Sequence, residues 1–358
     1  MTRKMTGLLL AIVMCVSLLA GCGGKKETTA PADGGSAPAA SQASGESVTL
    51  KLTHCQPEGS PVDLATEEFA RLVEERTEGR VKIQLFPANM LGAESVTRDM
   101  VKEGGCDIVC LGSAANNYNN AMNLVTACYL FENIEEADYM LFESRFAQKY
   151  MHEDYLANDN VVYLTSWVQS PRQTMTTKAF TTPAELKGIK LRVPAGIPVW
   201  EAAWNAMGAL TVSMGLDDAF SGLQQGACDG VEGPIDQLYF NSFQEVAKEL
   251  IMTQHNYYSY QMLMNNNSFN ALSEADQQVL RDTALELDAY HDQLRDENVD
   301  KLLEDLKSQG VNVTVLSEEQ LAAFAELCKP AIDQNMDSWG QECYDEFISE
   351  LEEFRASH

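Results

Sequence analysis

Basic residues are scarce in this 358-residue sequence: 25 Lys and Arg stand against 53 Asp and Glu, a formal net charge of −28. So acidic a surface repels phosphate backbones and anionic lipid headgroups, which disfavours nucleic-acid binding. Catalytic signatures are missing as well. There is no G-x-S-x-G elbow, no H-E-x-x-H helix and no phosphate-cradling glycine loop. The five histidines, His54, His152, His255, His291 and His358, fall at no metal-type spacing. Nine cysteines include no C-x-x-C pair, which removes the usual zinc and dithiol motifs. No cofactor or metal site is therefore expected. Apolar runs are short: Leu8–Ala20 falls below the about 20 residues of a membrane span.

That first run has another meaning. Arg3 and Lys4 precede it, and Leu19, Ala20, Gly21 and Cys22 end it. This is the pattern of a lipoprotein signal peptide over residues 1–21, cut before Cys22. The expected mature chain carries lipid on Cys22 and works outside the cytoplasmic membrane, anchored to it. The alternative is an ordinary secretory signal with an incidental cysteine. Residues 22–46 are mostly Gly, Ser, Ala and Pro with no large apolar side chain, a flexible tether. Beyond them lie Cys55, Cys106, Cys110, Cys128, Cys228, Cys328 and Cys343, an odd set whose pairing stays open.

From Ser47 the hydrophobic period alternates between two and 3.6. SVTLKLTH, VKIQLF and CDIVCL read as strands, with helices opening at Pro61 and Glu94 between them. This β-α-β-α-β order predicts a mostly parallel sheet covered by helices. The rhythm returns in VVYLTSW, IKLRV, ALTVS and CDGVEG, separated by the helices PVWEAAWNAMG and LDDAFSGLQQG. Thr182, Pro183 and Glu185 form a capping box, as do Ser317 and Gln320. A helix from Ser273 to about Leu306 would span about 50 Å, longer than one lobe. The reading is an α/β, two-lobed chain. Residues 47–171 with about 255–294 form one lobe, and 172–254 with about 295–358 form the other.

Arg192 ends the strand IKLRV, just before Pro194 and a helix beginning near Pro198. Ligands of open α/β sheets bind outside the carboxyl ends of strands, and an arginine there can hold a carboxylate by two parallel hydrogen bonds. Taken alone, the surplus of acids favours a structural salt bridge instead. Arg172, in WVQSPRQTMTTK, sits where the chain crosses between lobes and is a second candidate, with a solvated loop arginine as the alternative. Trp167 and Tyr239 border strand ends and suit aromatic walls or core equally. Trp200 and Trp204 share a helix face and read as core. His54 ends the first strand and suits a ligand contact or a satisfied cleft rim.

Four stretches in this order resemble the extracytoplasmic solute-binding proteins of tripartite ATP-independent periplasmic (TRAP) transporters. They are LTHCQPEGSPVDLATEEFARLVEERTEGRVKIQLFPANMLG, EGGCDIVCLG, TTPAELKGIKLRVP and GLQQGACDGVEGP. The resemblance runs from about Val48 to the last long helices. It implies two α/β lobes, joined by crossing strands and a long helix, that close on a ligand. It implies that Arg192 grips the ligand carboxylate, that Arg172 assists, and that Glu94 supplies a polar contact. Two departures stand out. Gly233 replaces the asparagine usual between Glu232 and Pro234, and Thr211, Val212 and Ser213 replace a usual P-T-P. A standard dicarboxylate ligand is therefore not carried over. The expected function is capture of a small organic acid for the TRAP membrane subunits. A same-fold subunit feeding a sensor kinase is the alternative, and a secreted hydrolase or lyase a remoter one.

Overall fold

The computed structural model describes residues 47–358. The signal peptide, Cys22 and the tether lie outside them. In chain order the strands are β1 (Val48–His54), β2 (Val81–Phe86), β3 (Ile108–Leu111), β4 (Val161–Val168), β5 (Gln173–Thr176), β6 (Lys190–Val193), β7 (Leu210–Ser213), β8 (Gly230–Gly233), β9 (Glu249–Met252), β10 (Ser259–Asn265) and β11 (Asn312–Val315). They form two sheets, β2-β1-β3-β10-β4 and β11-β9-β5-β8-β6-β7. The expected parallel units are present as β2-β1-β3 and as β8-β6-β7. Each sheet also holds one strand running against its neighbours, β10 in the first and β5 in the second.

Those reversed strands arise because the chain crosses between the sheets. It leaves β4 for β5 through residues 169–172 and returns from β9 to β10 through residues 253–258. The third crossing is the long helix, Glu274–Ser308, capped by the Ser273 hydroxyl on the Asp276 N–H. Its 35 residues span about 52 Å. Leu280, Ala284 and Leu287 join the first sheet's core, while Leu302 and Leu306 join the second's. The broken apolar stripe thus serves two cores in turn. Both capping boxes form as the sequence predicts.

The last helix, Gln341–Ser357, is grouped by the sequence reading with the second lobe. It packs instead on residues 131–146, which precede β4. Buried Glu350 accepts from the Arg145 and Phe146 N–H groups at 2.9 and 3.1 Å, and Phe347 meets Phe146 edge-on. All seven described cysteines are free, and no described helix is long and apolar enough to cross a membrane.

Strand β8 leaves no room for a side chain at Gly230. Gly230 pairs with Thr176, and a Cβ built on Gly230 would lie 2.5 Å from Thr176 Cγ2 and 3.1 Å from the Met175 carbonyl oxygen. The backbone oxygen belongs to the ladder and cannot yield. Gly230→Ala is expected to destabilise the protein by about 1–3 kcal/mol, read as a lower urea midpoint at unchanged slope.

Candidate functional site

A cavity of about 280 Å³ opens at the carboxyl ends of β1, β3 and β6. One wall comes from first-sheet segments, including Gln56, Asn89, Glu94 and Tyr260. The other comes from second-sheet segments, including Arg192, Gly196 and Gln237, with Gln169 and Arg172 of the crossing between them.

Arg192 lies at the end of β6 because Pro194 cannot continue the ladder. Only 3% of the residue is exposed. Its Nε donates to the Met214 carbonyl at 2.9 Å, and among the described residues no carboxylate lies within salt-bridge distance of it. Burial, reinforced by nearby Arg172, lowers its pKa to about 10 despite the pull of Glu232 and Glu94. The structural salt bridge that the acid surplus favours does not exist.

Arg172 is the opposite case. It lines the cavity but forks onto Glu232, Nε to Oε2 at 2.6 Å and Nη2 to Oε1 at 2.9 Å. Nη1 donates to Gln169 at 3.0 Å, and the guanidinium lies 4.8 Å from the Trp200 ring. His255 Nε2 adds a 3.1 Å contact to Glu232, and its Nδ1 meets Thr253. Burial alone would raise the Glu232 pKa, but Arg172 and His255 hold it at about 2. The charge of Arg172 is thus already neutralised inside the protein.

Glu94 also lines the cavity, yet its carboxylate accepts from the Gly112 N–H and, at 3.3 Å, from the Ala114 N–H. It thereby ties its own helix to the start of the 3-10 turn Ser113–Asn117 after β3, on the same wall. Burial raises its pKa.

The other sequence candidates are corrected by the structure. Trp167 is fully buried, stacked on His291 at 5.3 Å, because its strand faces the long helix there. Tyr239 lies against Phe240 with its hydroxyl 3.5 Å from Asp305, on the helix side of the second sheet. His54 is 2% exposed and holds Thr66 and Asp63 of the helix Pro61–Arg76. None of the three lines the cavity.

Gly233 does not line it either, but shapes it. A Cβ built there would lie 2.8 Å from Gln237 Oε1 and 3.7 Å from Arg172 Nη2. The bare backbone therefore leaves room for the Gln237 carboxamide, which borders the cavity from the following helix, Ile235–Phe240. Sequence reasoning misses Gln237. The available signal was a glycine four residues upstream, one helical turn away. Also missed are Gln56 Oε1, Asn89 Oδ1 and the Tyr260 hydroxyl, buried cavity-lining residues' atoms with no hydrogen-bond partner among the described residues. Asn89 sits in a strained F-P-A-N turn, with Ala88 and Asn89 at φ 49° and 63°. The arrangement offers one cation without an ion pair, Arg192, together with several neutral hydrogen-bonding groups, on a lining that also holds Glu94 and Asp217.

Comparison with known proteins follows this geometry. The model of the bacterial extracellular solute-binding proteins, family 7, matches residues 52–338. The 2,3-diketo-L-gulonate-binding periplasmic protein of Escherichia coli is 30% identical over 254 residues, 70% of this chain and 76% of that protein. A TRAP periplasmic solute-binding protein of Roseobacter denitrificans, solved with bound L-galactonate, superposes with a TM-score of 0.77 at 25% identity, covering 85% of this chain and 98% of that one. The sugar acid binding protein of Advenella mimigardefordensis shares the fold at a TM-score of 0.81 and 21% identity, covering 86% and 99%.

Two outcomes test this description. Glu232 is held below its unfolded value, so its stabilising contribution is complete above that value and is lost as pH falls toward about 2. Glu232→Gln should remove this acid-sensitive component and lower stability at neutral pH, seen by urea titrations from pH 7 to pH 3. Gly233→Ala meets only the movable end of Gln237, so stability should change by less than about 1 kcal/mol, while ligand affinity falls in calorimetry because the carboxamide is displaced.

Proposed function

The chain belongs to the bacterial extracellular solute-binding proteins, family 7, the receptors of TRAP transporters, and from that premise we propose that its cavity captures a hydroxylated monocarboxylate of the sugar-acid class. The family binds solutes and is not enzymatic, so the hydrolase or lyase alternative falls away. The observation that carries the reading is the buried Arg192 guanidinium, which meets no carboxylate of the described chain. A ligand carboxylate satisfies it with two charge-assisted hydrogen bonds.

The rest of the lining fits the remainder of such a ligand. Gln56, Asn89, Gln237 and Tyr260 offer neutral donors and acceptors for hydroxyl groups. A dicarboxylate asks for a second free cation. Arg172 is bound to Glu232, and Arg98, also at the cavity, is paired with Asp99 at 2.8 Å. Two of the relatives cited bind 2,3-diketo-L-gulonate and L-galactonate.

In this reading Arg192 is the principal ligand residue. Arg172, clamped by Glu232, orients Gln169 and keeps the floor rigid, and Glu94 holds the Gly112–Ala114 wall. Two lobes, one on each sheet, close on the ligand by motion about the three crossings, a hinge response favoured by a ligand that bonds both walls. The receptor is held to the cell membrane through lipid on Cys22, with residues 22–46 as tether, and delivers its ligand to TRAP membrane subunits.

Calorimetry with L-galactonate, 2,3-diketo-L-gulonate and succinate tests the reading. A sugar acid should bind at least tenfold more tightly than succinate, about 1.4 kcal/mol. Arg192→Ala should cost about 3–5 kcal/mol, roughly two to four decades in affinity. Succinate binding more tightly than both sugar acids overturns the ligand class, and unchanged affinity in Arg192→Ala overturns the role of Arg192.

A further inference from the structure

Eight of the ten described arginines hold a carboxylate within 4 Å. The two that do not are Arg192 and Arg281, and each borders a cavity. Arg281 stands on the first half of the long helix, far along β4 from the crossing that carries Arg172. Its cavity, about 270 Å³, lies at the start of β4 and is bordered by Gln148, His152, Leu156 and Val162.

The guanidinium of Arg281 is half-buried, 4.7 Å from the Phe269 ring, and its one hydrogen bond is a long one, 3.4 Å, to the Tyr163 carbonyl. Burial lowers its pKa, and no acid offsets that. Across the cavity His152 Nε2 is buried with no partner among the described residues. Burial and the Arg281 charge hold the His152 pKa at about 4, so the ring is neutral at physiological pH. It leans on Tyr163, with ring centroids 4.2 Å apart. Glu153 on the rim is exposed and makes no ion pair with Arg281. Residues 148–153 follow a π-helical path, a departure from regular helix found often at functional sites.

We propose that this cavity is a second binding site, for a small organic carboxylate, separate from the one at Arg192. The carboxylate meets Arg281, a short apolar body lies on Leu156 and Val162, and a hydroxyl or N–H group reaches His152 Nε2. The site does not rest on the reading of the Arg192 cavity.

The probe is 4-hydroxybenzoate, titrated into the Arg192→Ala protein so that the first cavity does not compete. The His152 side-chain nitrogen and the Leu156 methyl resonances are followed by NMR, with sodium chloride matched at each step. The expected result is a saturable shift of both. Arg281→Gln should weaken it about tenfold or more, the loss of one charge-assisted contact, and Arg281→Lys should retain part of it. Circular dichroism and melting temperature establish that both variants are folded. No saturable shift, or a shift that survives Arg281→Gln unchanged, would each overturn the proposal.

Discussion

A guanidinium withdrawn from water without a counter-ion is the constraint on which the site depends. Such burial costs several kcal/mol unless another charge enters. Arg192 bears that cost at the end of β6, relieved by the Met214 carbonyl and, without an ion pair, by the more distant charges of Glu232 and Glu94. Neither of those acids pairs with it. Glu232, the acid most able to do so, is saturated by Arg172 and His255. Glu94 spends its oxygens on backbone N–H groups. The Arg172–Glu232–His255 cluster is therefore more than a structural ion pair. It keeps a buried carboxylate away from Arg192.

This local arrangement answers the problem posed by a net charge of −28. Surface charge acts over about 8–10 Å at moderate ionic strength. A desolvated fork on a carboxylate acts at hydrogen-bond range, where screening is weak. The acidic surface sets the long-range field, while inside the cavity Arg192 is a buried cation without an ion pair.

The architecture brings these groups together by crossing three times between sheets. β6 ends in a cation, the 169–172 crossing brings Gln169 and Arg172, and the β3 end brings Gly112 and Ala114. Arg192, Gln56 and the Gly112–Ala114 backbone stand at or just beyond strand ends, the usual place for ligands in α/β sheets, while Glu94 and Gln237 reach in from helices. Gly233 shows how little separates one lining from another. One missing Cβ decides whether Gln237 reaches the cavity.

Much of this was legible in the residue order alone. The hydrophobic period marks β1, β2, β6 and their helices. Pro194 places Arg192 at a strand end, and serine caps fix the starts of the helices at 274 and 318. These are local signals, carried by a few consecutive residues. β5 and β10 were not legible, because QTMT and SYQMLMN set polar side chains at positions that are all buried, which hides any apolar period. Pairing was beyond reach as well. That Arg172 meets Glu232, 60 residues away, while Arg192 meets no acid is decided by which strands lie side by side. Trp167 and His54 stand at strand ends and Tyr239 on the short helix after β8, but what each packs against depends on helices distant in sequence. The chain by itself determined its elements and the chemistry it carries. Only the tertiary structure decided which charges are cancelled and which remain for a ligand, because electrostatic pairing acts through space and not along the chain.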